Sequence, residues 1–203
     1  MNKLENRRDS VDEFYVNVSS SVGMQLNNIT YDKFIELIVK SLELRPKVRV
    51  LDLYFGINPL TSFILEDASV SYFALDSSIN FVNKAAVVYK EYISKRKAIF
   101  SCFENNDIPY VNQFFHRILS INPRIDRSQL TDYINEVFYK VCNGGRMILV
   151  FSIQSYEDVL SLLDAINLSL FKVEDFMVFE LSMCYQSELE KDKSVLFKLN
   201  KLQ

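Results

Sequence analysis

Glycine is scarce in this chain: four residues of 203. Histidine occurs once, at His116, and cysteine three times, at Cys102, Cys142 and Cys184. The cysteines are odd in number and far apart, so they build neither a disulfide framework nor a close-spaced metal site. A reducing cytoplasm is the expected compartment. No apolar run approaches the ~20 residues that a bilayer-spanning helix needs, so no membrane partner is expected. The stretch Met1 to Ser10 has no apolar core, so no signal peptide is expected either. A basic excess is also missing: 23 Lys and Arg stand against 26 Asp and Glu, a net charge of −3. No global field therefore draws the protein to nucleic acid or to an anionic surface, although a local basic face stays open.

What is present is an ordinary globular composition, 49% apolar and 24% charged. The length suits one domain with a full core. We expect a single domain over residues 1–203, with a helical N-terminal segment or lid over 1–45 and the core over 46–203. The two small apolar groups at Phe14-Tyr15-Val16 and Met24-Gln25-Leu26 are expected in helical turns across the site. Tyr31–Leu44 reads as an amphipathic helix, with Phe34, Leu37, Ile38 and Leu42 in phase. Thr30 or Asp32 can cap it, and Arg45-Pro46 stops it. Strands are expected at 48–53, 70–75, 98–103, 117–121 and 146–152, with a helix from Ser77 or Ser78, a polar loop over 104–107, a helix from Asp126 or Ser128, and one more marked by Tyr156, Val159, Leu160, Leu163 and Ile166. Asn143-Gly144-Gly145 is expected to close the fourth helix with a left-handed cap. Two further runs, 176–183 and 194–199, have no helix between them and read as an antiparallel hairpin. Alternation of this kind predicts an α/β fold: a mostly parallel seven-stranded sheet, helices on both faces, and a C-terminal antiparallel strand pair.

The stretch from Val48 to Asp76 organises the rest. Val48-Arg49-Val50-Leu51-Asp52-Leu53 has the composition of a strand buried on both faces. The turn Tyr54-Phe55-Gly56-Ile57-Asn58-Pro59-Leu60 follows, with Asn58 placed to cap a helix and Pro59 at its first position. Ser71-Tyr72-Phe73-Ala74-Leu75-Asp76 then ends a second strand in an acid. A helix N-terminus is thereby delivered to the C-terminal edge of a parallel sheet, where ligands bind in open α/β folds.

These residues resemble a class I, Rossmann-like S-adenosylmethionine (SAM)-dependent methyltransferase with a degenerate glycine-rich turn. The matching features are Val50-Leu51-Asp52-Leu53, Gly56, Asp76, the run Gly144-Gly145-Arg146-Met147-Ile148-Leu149, and the terminal hairpin. They cover roughly residues 30–203. The family pattern after the first strand is G-x-G-x-G, and here those three places hold Tyr54, Gly56 and Asn58. Gly56-Ile57-Asn58-Pro59-Leu60 is also similar to the G-x-N-P-L turn of ribosomal-RNA methyltransferases that confer aminoglycoside resistance. The resemblance implies SAM as cofactor. It implies that Asp76 accepts from the ribose hydroxyls, that Gly56 lets the backbone pass close to the cofactor, and that Asp52 neighbours the methionine ammonium. Ser77, Cys102 and Phe103 would lie near the adenosine and Ser120 near the methyl group, with Tyr54 and Asn58 completing the turn. Asn122-Pro123 is similar to the start of the N-P-P-Y motif that grips an acceptor nitrogen, but Arg124 and Ile125 stand at its last two places. A loop proline leading into a helix is the plainer account of that dipeptide. His116, at the start of a strand, is expected to be structural, and no general base is assigned.

Three functional classes follow. The first is a methyltransferase of unidentified acceptor, with a small molecule favoured over RNA because the acidic balance lacks a nucleic-acid footprint. The second is a catalytically inactive relative that serves as scaffold or as partner subunit of an active methyltransferase, suggested by the two missing turn glycines. The third is a nucleotide-sugar or NAD-binding enzyme. Asp76 lies twenty positions after Gly56, near dinucleotide spacing, but G-x-G-x-x-G is absent.

Overall fold

A computed structural model describes residues 27–56, 59–66, 69–104, 107–185 and 188–202. The chain runs through β1 (Asn27–Thr30), α1 (Tyr31–Leu42), β2 (Arg49–Leu53), α2 (Leu60–Glu66), β3 (Ser71–Asp76), α3 (Ile79–Val88), α4 (Lys90–Ser94) and β4 (Ala98–Cys102). It continues through β5 (Phe115–Ile121), α5 (Leu130–Lys140), β6 (Val141–Ser152), α6 (Tyr156–Asn167), β7 (Lys172–Tyr185) and β8 (Glu188–Asn200). One sheet holds all the strands in the order β1-β7-β8-β6-β5-β2-β3-β4. Strands β6, β5, β2, β3 and β4 are parallel, and β8 runs antiparallel between β6 and β7. The expected α/β architecture and terminal hairpin are therefore present.

Among the described residues the sheet has eight strands rather than the expected seven. The additional one is β1, which pairs in parallel with β7, Asn27 opposite Phe179 and Thr30 opposite Ser182. Residues 27–30 fall within the stretch expected to be helical. Four mostly polar residues carry no readable period, and the partner that makes them a strand lies some 150 positions away, beyond the reach of local pattern. The apolar groups at 14–16 and 24–26 lie outside the described residues, as does Asn58.

Two core layers cover the sheet. Leu130, Ile134 and Val137 of α5 and Val159, Leu162 and Ile166 of α6 pack on one face. Phe34, Ile38 and Leu42 of α1 and Leu60 and Ile64 of α2 pack on the other. Thr30 caps α1, its Oγ1 accepting from the Lys33 amide at 3.4 Å. The helix expected after Ser77 is interrupted at Tyr89, whose ring stacks on Phe100 of β4 at 5.4 Å and whose hydroxyl meets Ser62 Oγ at 3.1 Å. Gly144 does take the left-handed region, at φ 70°, but it does not cap α5, which already ends at Lys140. It sits instead where the register between β5 and β6 slips, from Phe115 opposite Val141 to Arg117 opposite Arg146. A Cβ on Gly145 would lie 2.6 Å from Val141 Cγ1 and 2.8 Å from Cys142 O, so the bulge admits no side chain there.

The N-terminal edge of the sheet is locked by charge. Glu43, just past α1, takes φ 45° and places its carboxylate 2.6 Å from Arg146 Nη1. Arg146 also reaches Glu174 at 3.2 Å, and Lys198 bridges the same two carboxylates at 3.3 and 3.2 Å. Helix α1 is thus tied to β6, β7 and β8 at once. His116 belongs to this edge, its Nδ1 accepting from the Arg49 amide at 3.1 Å. Burial, then Arg49 and Arg117, hold its pKa below the usual value. It is a structural acceptor, as expected. Among the described residues no helix is long and apolar enough to cross a membrane.

Replacing Arg146 with leucine leaves both carboxylates to Lys198 and removes the bonds to Ser41 O and Asn200 Oδ1. We expect a loss of about 1–3 kcal/mol in urea unfolding, toward the low end because both carboxylates are partly solvated. The Arg146 hydrogen bond also holds the Glu43 pKa below 4.5. That contribution is present above the unfolded pKa and lost as pH falls through the lower folded one, so the variant's deficit shrinks below pH ~4.

Candidate functional site

Connections from β2 lead through β3 and β4 to one side of the sheet, and β5 and β6 lie on the other. The C-terminal ends of β2 and β5 therefore flank the switch point where open α/β sheets bind ligands. The structure gathers Asp52 to Gly56, Asp76 to Ser78, Cys102 to Phe103, and Ser120 to Asn122 along this edge.

Asp76 is the organising side chain. It is 2% exposed. Its Oδ2 accepts from the Gly56 amide at 3.0 Å and its Oδ1 from the Ser78 amide at 2.8 Å. Its backbone carbonyl accepts from Phe103 N at 3.2 Å. One residue thus joins the β2 turn, the start of α3 and the exit of β4. Gly56 has φ 56°, and a Cβ there would meet its nearest heavy atom, Tyr54 O, only at 3.9 Å. Backbone conformation asks for glycine here, and the space in front of it is open.

Tyr54 stands at the first glycine place of the family pattern, and it too is left-handed, at φ 60°. Its amide donates to Leu75 O at 2.7 Å, which fixes the turn against β3. A non-glycine residue in this region costs on the order of 1 kcal/mol. The ring lies edge-on to Phe103 at 5.1 Å and tilted to Tyr133 at 6.3 Å. Burial pushes its hydroxyl pKa up to about 12, with the Asp76 charge adding to the shift and Arg124 offsetting it. The turn's tyrosine thus fills part of the edge that a glycine would leave empty.

Asp52 does not face the crevice. Its carboxylate is buried and accepts from Tyr72 Oη at 2.6 Å, while Thr61 Oγ1 lies 3.1 Å from the same hydroxyl. Because the Tyr72 proton is committed to Asp52, Thr61 is the donor in the second bond. Burial raises the Asp52 pKa to about 7; Tyr72 opposes the shift and the Asp76 charge adds to it. Ser120 is also buried, its hydroxyl paired with Tyr133 Oη at 2.8 Å. Ser77 and Cys102 are exposed on the rim, 3.5 Å apart through Sγ and the Ser77 carbonyl. Asn122, at φ 47°, is engaged by its neighbour strand: Oδ1 accepts from Ser152 N at 2.6 Å and Nδ2 donates to Ser152 Oγ at 3.1 Å. Pro59 directly precedes α2 rather than opening it, and its carbonyl accepts from Ser62 N at 3.0 Å.

Sequence reasoning missed Tyr72, Thr61 and Tyr133. The available signal was a tyrosine in a strand buried on both faces, where a hydroxyl needs a partner; Tyr72 lies opposite Val50, diagonal to Asp52. Also missed was a cleft of about 170 Å³ between α1 and the ends of β5, β6 and β8. Tyr31, Phe34, Leu60 and Leu181 give it apolar walls, and Asn122 and Asp192 a polar margin.

No protein-family profile matches the sequence, and no curated protein is significantly similar to it. Solved structures do match. The 4+2 cyclase SpnF superposes with a TM-score of 0.70 at 14% identity, over 84% of this chain and 80% of that one. Geranyl diphosphate C-methyltransferase from Streptomyces coelicolor, crystallised with S-adenosyl-L-homocysteine, gives 0.68 at 10%, over 84% and 76%. A SAM-dependent O-methyltransferase from Thermotoga maritima gives 0.61 at 14%, over 92% and 71%. At these identities the likeness establishes the fold, which is the class I, Rossmann-like methyltransferase fold.

Asp52 supplies a test of the site's electrostatics. Its folded pKa lies above its unfolded one, so the fold prefers the protonated acid, and stability is lost as pH rises from about 4 to 7. Asparagine keeps the acceptor for Tyr72 without the charge. Relative to the parent, Asp52→Asn should gain up to ~1.4 kcal/mol per pH unit across that window, read by urea unfolding at several pH values. Parallel pH profiles would refute the buried-acid assignment.

Proposed function

We propose that this chain is a SAM-dependent methyltransferase acting on a small-molecule acceptor. The observation that carries the reading is the Asp76 carboxylate at the end of β3, fastened to the Gly56 turn and buried at the switch point. The residues fit the adenosine half of the cofactor. Each Asp76 oxygen accepts one backbone amide and keeps a second lone pair for a ribose hydroxyl. Gly56 presents bare backbone to open space, and Ser77, Cys102 and Phe103 border the place for the base. When bound, the cofactor supplies an already activated methyl group, so positioning by the protein accounts for much of the rate. The cleft under α1 is the place for the acceptor, beside Asn122 at the end of β5. Its modest volume and apolar walls suit a compact molecule. One structure of this fold, geranyl diphosphate C-methyltransferase, holds geranyl diphosphate, a small acceptor.

A second reading is favoured by Tyr54. Its ring occupies part of the edge, and SpnF, with the same fold, is a cyclase by name. On that reading the filled edge belongs to a non-catalytic scaffold or partner subunit.

Calorimetric titration with S-adenosylhomocysteine separates the two. The enzyme reading expects micromolar binding near one per chain. Asp76→Ala should weaken it at least tenfold, a loss of roughly 1.4 kcal/mol or more, with circular dichroism confirming the fold. If Tyr54 instead blocks the site, the parent binds nothing and Tyr54→Gly, which also relieves the left-handed strain, gains affinity.

A further inference from the structure

We infer that the sheet edge opposite the crevice carries a docking surface for the phosphate backbone of a nucleic-acid strand, centred on the turns that lead into β2 and β4. Residues 45–49 and 95–97 supply Arg45, Lys47, Arg49, Lys95, Arg96 and Lys97, so six of these eight positions are basic and none is acidic. In a chain of net charge −3 this is a sharp segregation of sign.

The two turns are held in place side by side. Lys47 N donates to Ser69 O at 2.8 Å, and Tyr72 N donates to Lys97 O at 2.9 Å, so both are pinned at the start of β3. With β3 between them, β2 and β4 stand about 10 Å apart, about three phosphate steps of 3.4 Å along one strand. Of the nearby carboxylates, Glu43 is held by Arg146 and Lys198 and lies 3.9 Å from Arg45, Glu91 is held by Lys95 at 3.6 Å, and Glu66 stands exposed at the end of α2. The Arg49 guanidinium is stiffened over the Phe114 ring, 4.6 Å from its centroid.

Helix C-termini attract lysine for their own sake, and that accounts for Lys95. It does not account for Lys47 and Arg96, which sit exposed in the left-handed region at φ 67° and 56°. Glycine or asparagine is the unstrained choice at such positions. A long cation stands at both, in neighbouring turns, where glycine would relax the backbone. An anionic lipid surface fits less well. The strongly exposed Leu168 and Leu202 belong to the β7 and β8 side of the edge, whereas Val48, between the basic side chains, is buried.

The test uses the same strain. Glycine at positions 47 and 96 removes two charges while relaxing the backbone, so Lys47→Gly/Arg96→Gly should fold with an unchanged or higher melting temperature. Binding of a fluorescein-labelled RNA of about 20 nucleotides is followed by anisotropy from about 50 to 200 mM salt. The double variant should bind at least about fivefold more weakly, with the log–log salt slope reduced by roughly 1.4 for two lost single-strand contacts. Lys33→Gln/Lys193→Gln removes equal charge elsewhere and should bind like the parent. Equal weakening in both variants, or no RNA binding at low salt, overturns the inference. Loss confined to binding of phosphatidylserine vesicles also overturns it and assigns the edge to membranes. None of these outcomes depends on methyl transfer, so this surface and the cofactor reading stand or fall separately.

Discussion

Two backbone amides, from Gly56 and Ser78, converge on one buried carboxylate, and the C-terminal edge of the sheet is built around that meeting. Asp76 closes three pieces of chain at once: the turn leaving β2, the start of α3 and, through its carbonyl, the exit of β4. A charged group at 2% exposure persists only when its acceptor sites are used. The same bonds that hold the loops leave each oxygen with a second lone pair. Architecture and prospective binding thus share a single side chain.

Around this centre the site departs from the simplest glycine-rich turn. Tyr54 accepts a left-handed backbone that glycine would adopt freely, and recovers part of the cost by packing on Phe103 and Tyr133. Asp52 is turned from the crevice into a buried chain with Tyr72 and Thr61. Its proton affinity is set by burial and by the neighbouring Asp76. The opposite edge solves a different problem, with Arg146 and Lys198 clamping Glu43 and Glu174. The N-terminal edge is thus wired by charge pairs, and the C-terminal one by amides gathered on a single carboxylate.

Most of the framework was legible in the sequence because it rests on local period. The apolar runs at 50–53 and 147–151, the phase of Phe34, Ile38 and Leu42, and the acid ending β3 all report burial directly. What escaped was non-local. Strand β1 exists because β7 lies beside it. Gly144 serves a bulge defined by β5, and Asn122 is recruited by Ser152 across two strands. Among the candidate residues, Asp76, Gly56 and Tyr54 lie together at this edge. Asp52 and Ser120 sit at the right strand ends but point into the two core layers, toward Tyr72 and Tyr133. Period fixes which face a side chain takes, not which distant hydroxyl waits there.

The most direct test of Asp76 as the organiser of a cofactor site is amide chemical-shift mapping of the isotope-labelled protein during titration with S-adenosylhomocysteine. The account predicts saturable shifts near one equivalent, largest at Gly56, Ser78 and Phe103, whose amides bond to Asp76, with the Arg49 amide on His116 unmoved. Saturable shifts centred elsewhere, or none at all, would contradict it.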